Sequence, residues 1–130
     1  MRKLLAALLL ATAAGGALAA GANITMDTFP QQRMRDVAAL QNGARLYVNY
    51  CMGCHSASLM RWNRLRDIGL TDEQIRDFLI PGDQKVGDLM TSSLGARDGR
   101  NWFGKTPPDL SVIARARTSF DYKGTDYLYT

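Results

Sequence analysis

The sequence predicts a single small all-α domain. Three observations lead there. A chain of 130 residues supports one domain. Apolar residues recur at helical spacing in several segments, each with its own start and stop signals. After the first 22 residues there is no alternating strand pattern, internal repeat or low-complexity tract.

Those first residues stand apart from the domain. Arg2 and Lys3 precede the apolar block Leu4–Leu10, and Ala17-Leu18-Ala19 and Ala20-Gly21-Ala22 follow it. A charged start, an apolar core and small residues in A-x-A spacing describe a secretory signal peptide. A retained anchor is the competing reading, because Leu4–Ala22 is about long enough to span a bilayer. Its second half is Ala and Gly, which contribute little transfer energy. Residues 1–22 are therefore read as a signal peptide, 23–39 as an extended lead-in and 40–130 as the domain proper. Cleavage after Ala22 leaves 108 of 130 residues and removes two of 16 basic residues and none of 12 acidic ones, so the net charge falls from +4 to +2. No cluster of Lys and Arg interleaved with aromatics is present, and nucleic acid is excluded as a partner.

Within the domain the first helical pattern runs from Arg33 to Tyr50. Leu40, Gly43, Ala44, Tyr47 and Val48 share one face, and Gly43 there would let another helix cross closely. The second helix is capped by Thr71, with Gln74 completing a capping box; Ile75, Phe78 and Leu79 form its apolar stripe, and Pro81-Gly82 stop it. A short helix is expected around Val86, Leu89 and Met90, and a loop over Ala96–Lys105, turning at Asp98-Gly99. Asp109 is expected to cap a third helix, Leu110–Arg117, behind Pro107-Pro108.

The chemistry lies in Cys51-Met52-Gly53-Cys54-His55, where the first helix ends. Export puts both cysteines in an oxidising compartment, where the ordinary expectation is a disulfide. The spacing points elsewhere. Two thiols separated by two residues, followed at once by histidine, are the attachment motif of a c-type haem. The sulfurs add to the haem vinyl groups along one edge of the ring, and the imidazole binds iron beneath it. Gly53 keeps the tight turn free of a side chain. The competing readings are weaker. A structural zinc site needs four ligands, and the chain has two Cys and one His in total. A thioredoxin-like pair would sit in a βαβ context, and a disulfide across two residues would be a strained link. One covalent haem c is therefore expected, with His55 as the metal ligand. Two haem propionates would bring the mature charge near zero.

Two further residues follow from this reading. A ligating histidine gives its other ring nitrogen to an acceptor, and Pro107 and Pro108 offer rigid carbonyls without competing N–H groups. Alternatively, the pair only stops a loop and starts a helix. Arg117 shares a stripe with Leu110, Ile113 and Ala114, whereas Arg115 points elsewhere. A cation on an apolar stripe suits a haem propionate; the alternative is an arginine that snorkels to solvent at the helix end.

Much of the chain resembles one family. The run Gln41-Asn42-Gly43-Ala44 to Asn49-Tyr50-Cys51, then Cys54-His55-Ser56-Ala57-Ser58-Leu59-Met60-Arg61, is similar to bacterial cytochrome c1. So are Asn63-Arg64-Leu65, Val86-Gly87-Asp88-Leu89-Met90, Trp102-Phe103-Gly104, Pro107-Pro108-Asp109-Leu110-Ser111 and Ala114-Arg115-Ala116-Arg117. The family is the c-type haem subunit of the ubiquinol–cytochrome c oxidoreductase, respiratory complex III. The resemblance implies a cytochrome c-like haem domain at the periplasmic face of the bacterial inner membrane, held there through the complex. It implies cytochrome b, the Rieske iron–sulfur protein as electron donor and a soluble cytochrome c as acceptor. On its own such a chain is an electron carrier, and as a subunit it forms part of a quinol–cytochrome c oxidoreductase; whether it is itself an enzyme stays open. By the resemblance, Cys51 and Cys54 are expected to carry the thioethers, His55 the proximal bond and Arg117 a propionate; Tyr127 aligns with the family's following tyrosine across an insertion around 119–124.

The family's distal methionine, in a Gly-Met-Pro segment, and its transmembrane helix have no match here. The expectation is thus the N-terminal half of a cytochrome c1, cut within the element that Thr125–Thr130 opens. Met52 and Met60 lie too close to His55 in sequence to cross the ring. Met26 and Met34 precede the first helix, and Met90 suits core packing. The alternatives are a free-standing soluble periplasmic cytochrome c and a five-coordinate, ligand-binding haem protein.

Overall fold

The computed structural model describes residues 24–130; the expected signal peptide, residues 1–22, lies outside that range. Helical turns dominate. Most are short, and they are joined through one small sheet. The 3-10 turn Gln31–Arg35 leads to α1 (Val37–Leu46), so the stretch read as an extended lead-in is already helical before residue 40. Asp36 sets the start of α1, its side chain accepting from the Ala39 N–H at 3.1 Å. At Tyr47–Cys51 the helix widens into a π turn, closed by the Met52 N–H on the Tyr47 carbonyl at 2.9 Å.

The chain then turns and forms β1 (Ala57–Arg61), followed by a 3-10 helix over Trp62–Ile68. Thr71 and Gln74 cap α2 (Asp72–Phe78) in the expected reciprocal box, at 3.2 and 2.9 Å. Ile75 and Leu79 go inside, whereas Phe78 is 79 % exposed. The backbone leaves helical geometry at Leu79, so the buried face is narrower than the three-residue stripe implies.

The segment expected as a short helix near Val86 forms β2 (Leu89–Met90), antiparallel to β1 with Ala57 opposite Met90 and Arg61 opposite Leu89. The Trp62 and Asn63 N–H groups extend the ladder to the Asp88 and Val86 carbonyls at 3.1 and 2.8 Å. A two-residue strand carries no alternation to read, and its partner is set by tertiary pairing. The expected loop after it holds α3 (Ala96–Phe103).

The third expected helix shrinks to α4 (Ile113–Ala116), and the chain closes on α5 (Gly124–Tyr129). Among the described residues no helix is long and apolar enough to cross a membrane. The core is Met52, Ala57, Trp62, Leu65, Ile75, Leu79 and Met90, with Trp62 and Ile75 sealed from solvent. The Trp62 indole N–H is satisfied by Gln84 Oε1 at 2.8 Å.

Six residues do not make a stable helix alone. α5 is held by the lead-in: the Phe29 N–H donates to Asp126 Oδ1 at 2.9 Å and the Asp27 N–H to Thr130 Oγ1 at 2.8 Å. Phe29 and Tyr129 add an edge-to-face pair at 5.7 Å. On its other side α5 meets α4 so closely that a methyl on Gly124 would stand 1.6 Å from the Ala114 carbonyl oxygen. Gly43 is different. A methyl there meets no described atom within 4 Å, so no close helix crossing uses it.

Gly124→Ala should therefore destabilise the chain by about 3 kcal/mol, the upper end of overpacking costs, in denaturant unfolding. Gly43→Ala should stabilise α1 by up to about 1 kcal/mol through helix propensity. Equal midpoints for the two variants would contradict the Gly124 contact.

Candidate haem-attachment site

α1 and its π turn deliver the chain into Cys51-x-x-Cys54-His55. Met52, 3 % exposed, anchors the motif in the core, while Cys51 is half-buried and Cys54 exposed. The two cysteines are not joined to each other in a disulfide. The Cys51 carbonyl accepts from the Cys54 and His55 N–H groups at 3.1 and 2.8 Å, which folds the motif into one turn. Gly53 has no positive φ, and a methyl on it would meet nothing described within 4 Å, so the turn does not need glycine for room. The Gly53 carbonyl instead takes a hydrogen bond from Ser92 Oγ at 2.9 Å, and the Ser92 N–H donates to Ser56 Oγ at 2.9 Å.

His55 is held from two sides. Tyr47 Oη donates to the His55 carbonyl at 2.8 Å. The imidazole Nδ1 lies 2.8 Å from the Pro108 carbonyl oxygen. A carbonyl only accepts, so Nδ1 carries a proton, and in the neutral ring this leaves the lone pair on Nε2. That is the tautomer a metal-ligating histidine needs.

The Pro108 carbonyl is fixed by the residues after it. The Leu110 N–H donates to the Ser56 carbonyl at 2.8 Å. Asp109 Oδ2 accepts from the Ser58 N–H at 2.8 Å and Ser58 Oγ at 2.6 Å, and Oδ1 from the Ser111 N–H at 2.8 Å. Ser111 Oγ accepts from the Leu59 N–H at 3.0 Å. Asp109 is thus no cap of α4, whose first turn follows Val112. It stitches the Pro-Pro segment to β1. Desolvation pushes the Asp109 carboxyl up, but hydrogen bonds from Ser111 and Ser58 outweigh it and hold the group well below the usual carboxylate range. The Tyr47 phenol is pushed up to about 12 by burial, then by Asp109 and Cys51.

Arg117 ends α4, exposed, with its guanidinium 5.1 Å from the centre of the Tyr127 ring, which stacks on Tyr122. The structure brings Arg117 and Tyr127 together; no hydrogen bond among the described residues joins them to His55. Leu110 and Ile113, from the same predicted stripe, turn towards an apolar cavity of about 380 Å³ that Tyr47, Met60, Leu65 and Met90 also line. Met90 is buried in the core opposite Ala57. Sequence reading did not single out Tyr47, Ser58, Ser92 or Asp109 as holding the site. Only the serine after Ala57 and the acidic residue after Pro-Pro hinted at a link, and no spacing rule joins positions about fifty apart.

The residues present fit a covalently attached haem. Two thiols not joined in a disulfide flank one turn, and an imidazole of fixed tautomer follows directly. Among the described residues no group of three or more His, Cys, Asp or Glu is placed to hold a bare metal ion.

The model of the Cytochrome C1 family matches residues 29–101, and cytochrome c1 of Allochromatium vinosum is 40 % identical across the whole chain. The chain belongs to the cytochrome c1 family. Another relative, the ammonia monooxygenase gamma subunit of Nitrosomonas europaea, is 46 % identical over 85 % of the chain. The mitochondrial cytochrome c1 haem protein of Schizosaccharomyces pombe is 28 % identical, also over 85 %. These alignments cover 51 %, 44 % and 41 % of the respective relatives, so the chain spans about half the length of the curated relatives it matches. Cytochrome c1 proteins carry covalently attached haem c, and haem c is the cofactor of this family member.

The depressed Asp109 carboxyl has a definite sign. A folded value below the unfolded one gives stability that is present above the ordinary carboxylate range and is lost as pH falls from that range through the lower folded value. Asp109→Asn should therefore lower stability at neutral pH and flatten the decline below about pH 4. Urea midpoints measured from neutral to acid pH check this; parallel curves for the two chains would refute it.

Proposed function

We propose that this chain is the electron-transfer haem subunit of a ubiquinol–cytochrome c oxidoreductase. In this reading it receives electrons from a Rieske iron–sulfur protein and delivers them to a soluble cytochrome c, at the periplasmic face of the inner membrane beside cytochrome b. Residues 1–22 direct export and are removed. The observation that carries the proposal is the pairing of the Cys51 and Cys54 thiols with a His55 ring whose Nδ1–H is committed to Pro108.

The haem supplies one-electron chemistry at iron when bound. The chain's own residues attach and tune it. Cys51 and Cys54 would hold the group through two thioethers, so that it could not dissociate. His55 offers Nε2 to the metal, and the Pro108 carbonyl holds the ring in plane and raises its basicity. Arg117, with its charge over the Tyr127 ring, is available to a propionate at the exposed end of α4. Such an arginine–carboxylate pair would favour the ionised propionate and place a fixed positive charge near the group.

Expression with the cytochrome c maturation machinery should give a mature chain heavier by one haem, which persists on a denaturing gel. Cys51→Ala with Cys54→Ala should abolish that band. Recovery of two unmodified thiols from the unsubstituted chain would sink the proposal.

The propionate assignment has its own test. A charge-assisted hydrogen bond is worth about 1.5–3 kcal/mol. Arg117→Gln should therefore shift the haem midpoint potential or its pH dependence clearly more than Arg115→Gln. Equal shifts would remove Arg117 from the site.

A further inference from the structure

The segment that carries the His55 hydrogen-bond acceptor is packed against a helix outside the attachment motif. α3 faces the segment Thr106-Pro107-Pro108 through Gly99, which is buried in its middle. A methyl on Gly99 would stand 2.9 Å from Pro107 Cδ and 3.3 Å from Thr106 Cα. The first distance is shorter than real carbon contacts, and the second is to backbone. Thr106 Oγ1 also donates to the Ala96 carbonyl at 3.2 Å and accepts from Arg100 Nη1 at 3.5 Å. α3 is thereby seated on the residues just before the Pro108 carbonyl.

Those residues transmit displacement instead of absorbing it. Proline locks φ, and each residue before a proline is driven to extended geometry. Thr106 and Pro107 both precede a proline, so the segment behaves as a short stiff rod. Its far side is pinned to Ser56 and Ser58 through Leu110 and Asp109. A push at Pro107 has little outlet except the Pro108 carbonyl.

We propose that Gly99 is a positioning residue for the iron ligand, and this rests on the haem reading above. The missing side chain lets α3 lie against Pro107 and hold the Pro108 carbonyl in line with His55 Nδ1–H. That bond governs how strongly the imidazole donates to the metal. Global stability does not report the role, because alanine gains helix propensity at the position where it collides. A local readout is needed. His55 is the only histidine of the chain, so its ring Nδ1–H signal is unambiguous.

The test uses the full chain loaded with haem in a maturation-competent host. It compares the unsubstituted chain, Gly99→Ala, Thr106→Val and the exposed α3 control Asn101→Ala. In Gly99→Ala the Nδ1–H of the ferrous protein should exchange with solvent about five- to tenfold faster, the weight of one lost hydrogen bond. Its midpoint potential should rise, because a less basic imidazole favours ferrous iron. Thr106→Val, which adds no bulk, should shift both readouts the same way by less, and it carries the test if Gly99→Ala does not fold. Asn101→Ala should leave both unmoved. Haem-loaded Gly99→Ala with unchanged exchange and potential would overturn this inference alone, as would equal shifts from Asn101→Ala. An unsubstituted chain that takes up no haem would overturn the haem reading and this inference with it.

Discussion

A peptide carbonyl can accept a proton but never give one, and much of the site follows from where the Pro108 carbonyl is put. At 2.8 Å from His55 Nδ1 it selects one imidazole tautomer and one ring plane. It also joins positions 53 residues apart, so the bond closes a long loop. A single neutral hydrogen bond contributes only about 1 kcal/mol, too little to close such a loop by itself. The closure therefore depends on the bonds that run alongside it. Asp109 accepts from both polar groups of Ser58, Ser111 accepts from Leu59, and Leu110 donates to Ser56. Side chains here do what a third strand would do in a larger sheet.

The buried core explains where rigidity comes from and where it stops. Trp62, Leu65, Ile75 and Leu79 pack the 3-10 helix onto α2, and Met52, Ala57 and Met90 bring the motif and both strands into the same cluster. The attachment turn is thus tied to the core through one side chain, Met52, placed between the two thiols. A buried residue inside the motif leaves the cysteines on either side outward enough to react while the backbone between them stays fixed. Thioether formation needs that combination of access and pre-set geometry.

Legibility in the sequence followed the range of each signal. The capping box at Thr71 and Gln74 is a four-residue rule, and it predicts the start of α2 correctly. The Cys-x-x-Cys-His motif is a five-residue rule with its chemistry built in. The Phe78 position was misread because a stripe assumes the helix continues, and this one ends there. β2 is two residues long and has no periodicity, so only pairing with β1 creates it. α3 was hidden for a related reason: Asp98-Gly99 reads locally as a turn, yet glycine is required there by Pro107, a residue outside the helix. Asp109 sits where a cap belongs, and competition from Ser58 redirected it. The misses at β2, α3 and Asp109 are cases of a distant partner outweighing a local preference.

The junction of the lead-in with α5 has a consequence for the order in which the molecule assembles. Its two hydrogen bonds span 103 and 97 residues, the longest reach in the described chain. The lead-in is a short extended strip, and α5, below the length that sustains itself, has only α4 as its other support. The order of each therefore supports the order of the other. Contacts of such separation form late, after the local turns and the Trp62 cluster have shortened the path between the ends. Hydrogen bonds that close so long a path at or near the surface belong to the low-stability end of a structure.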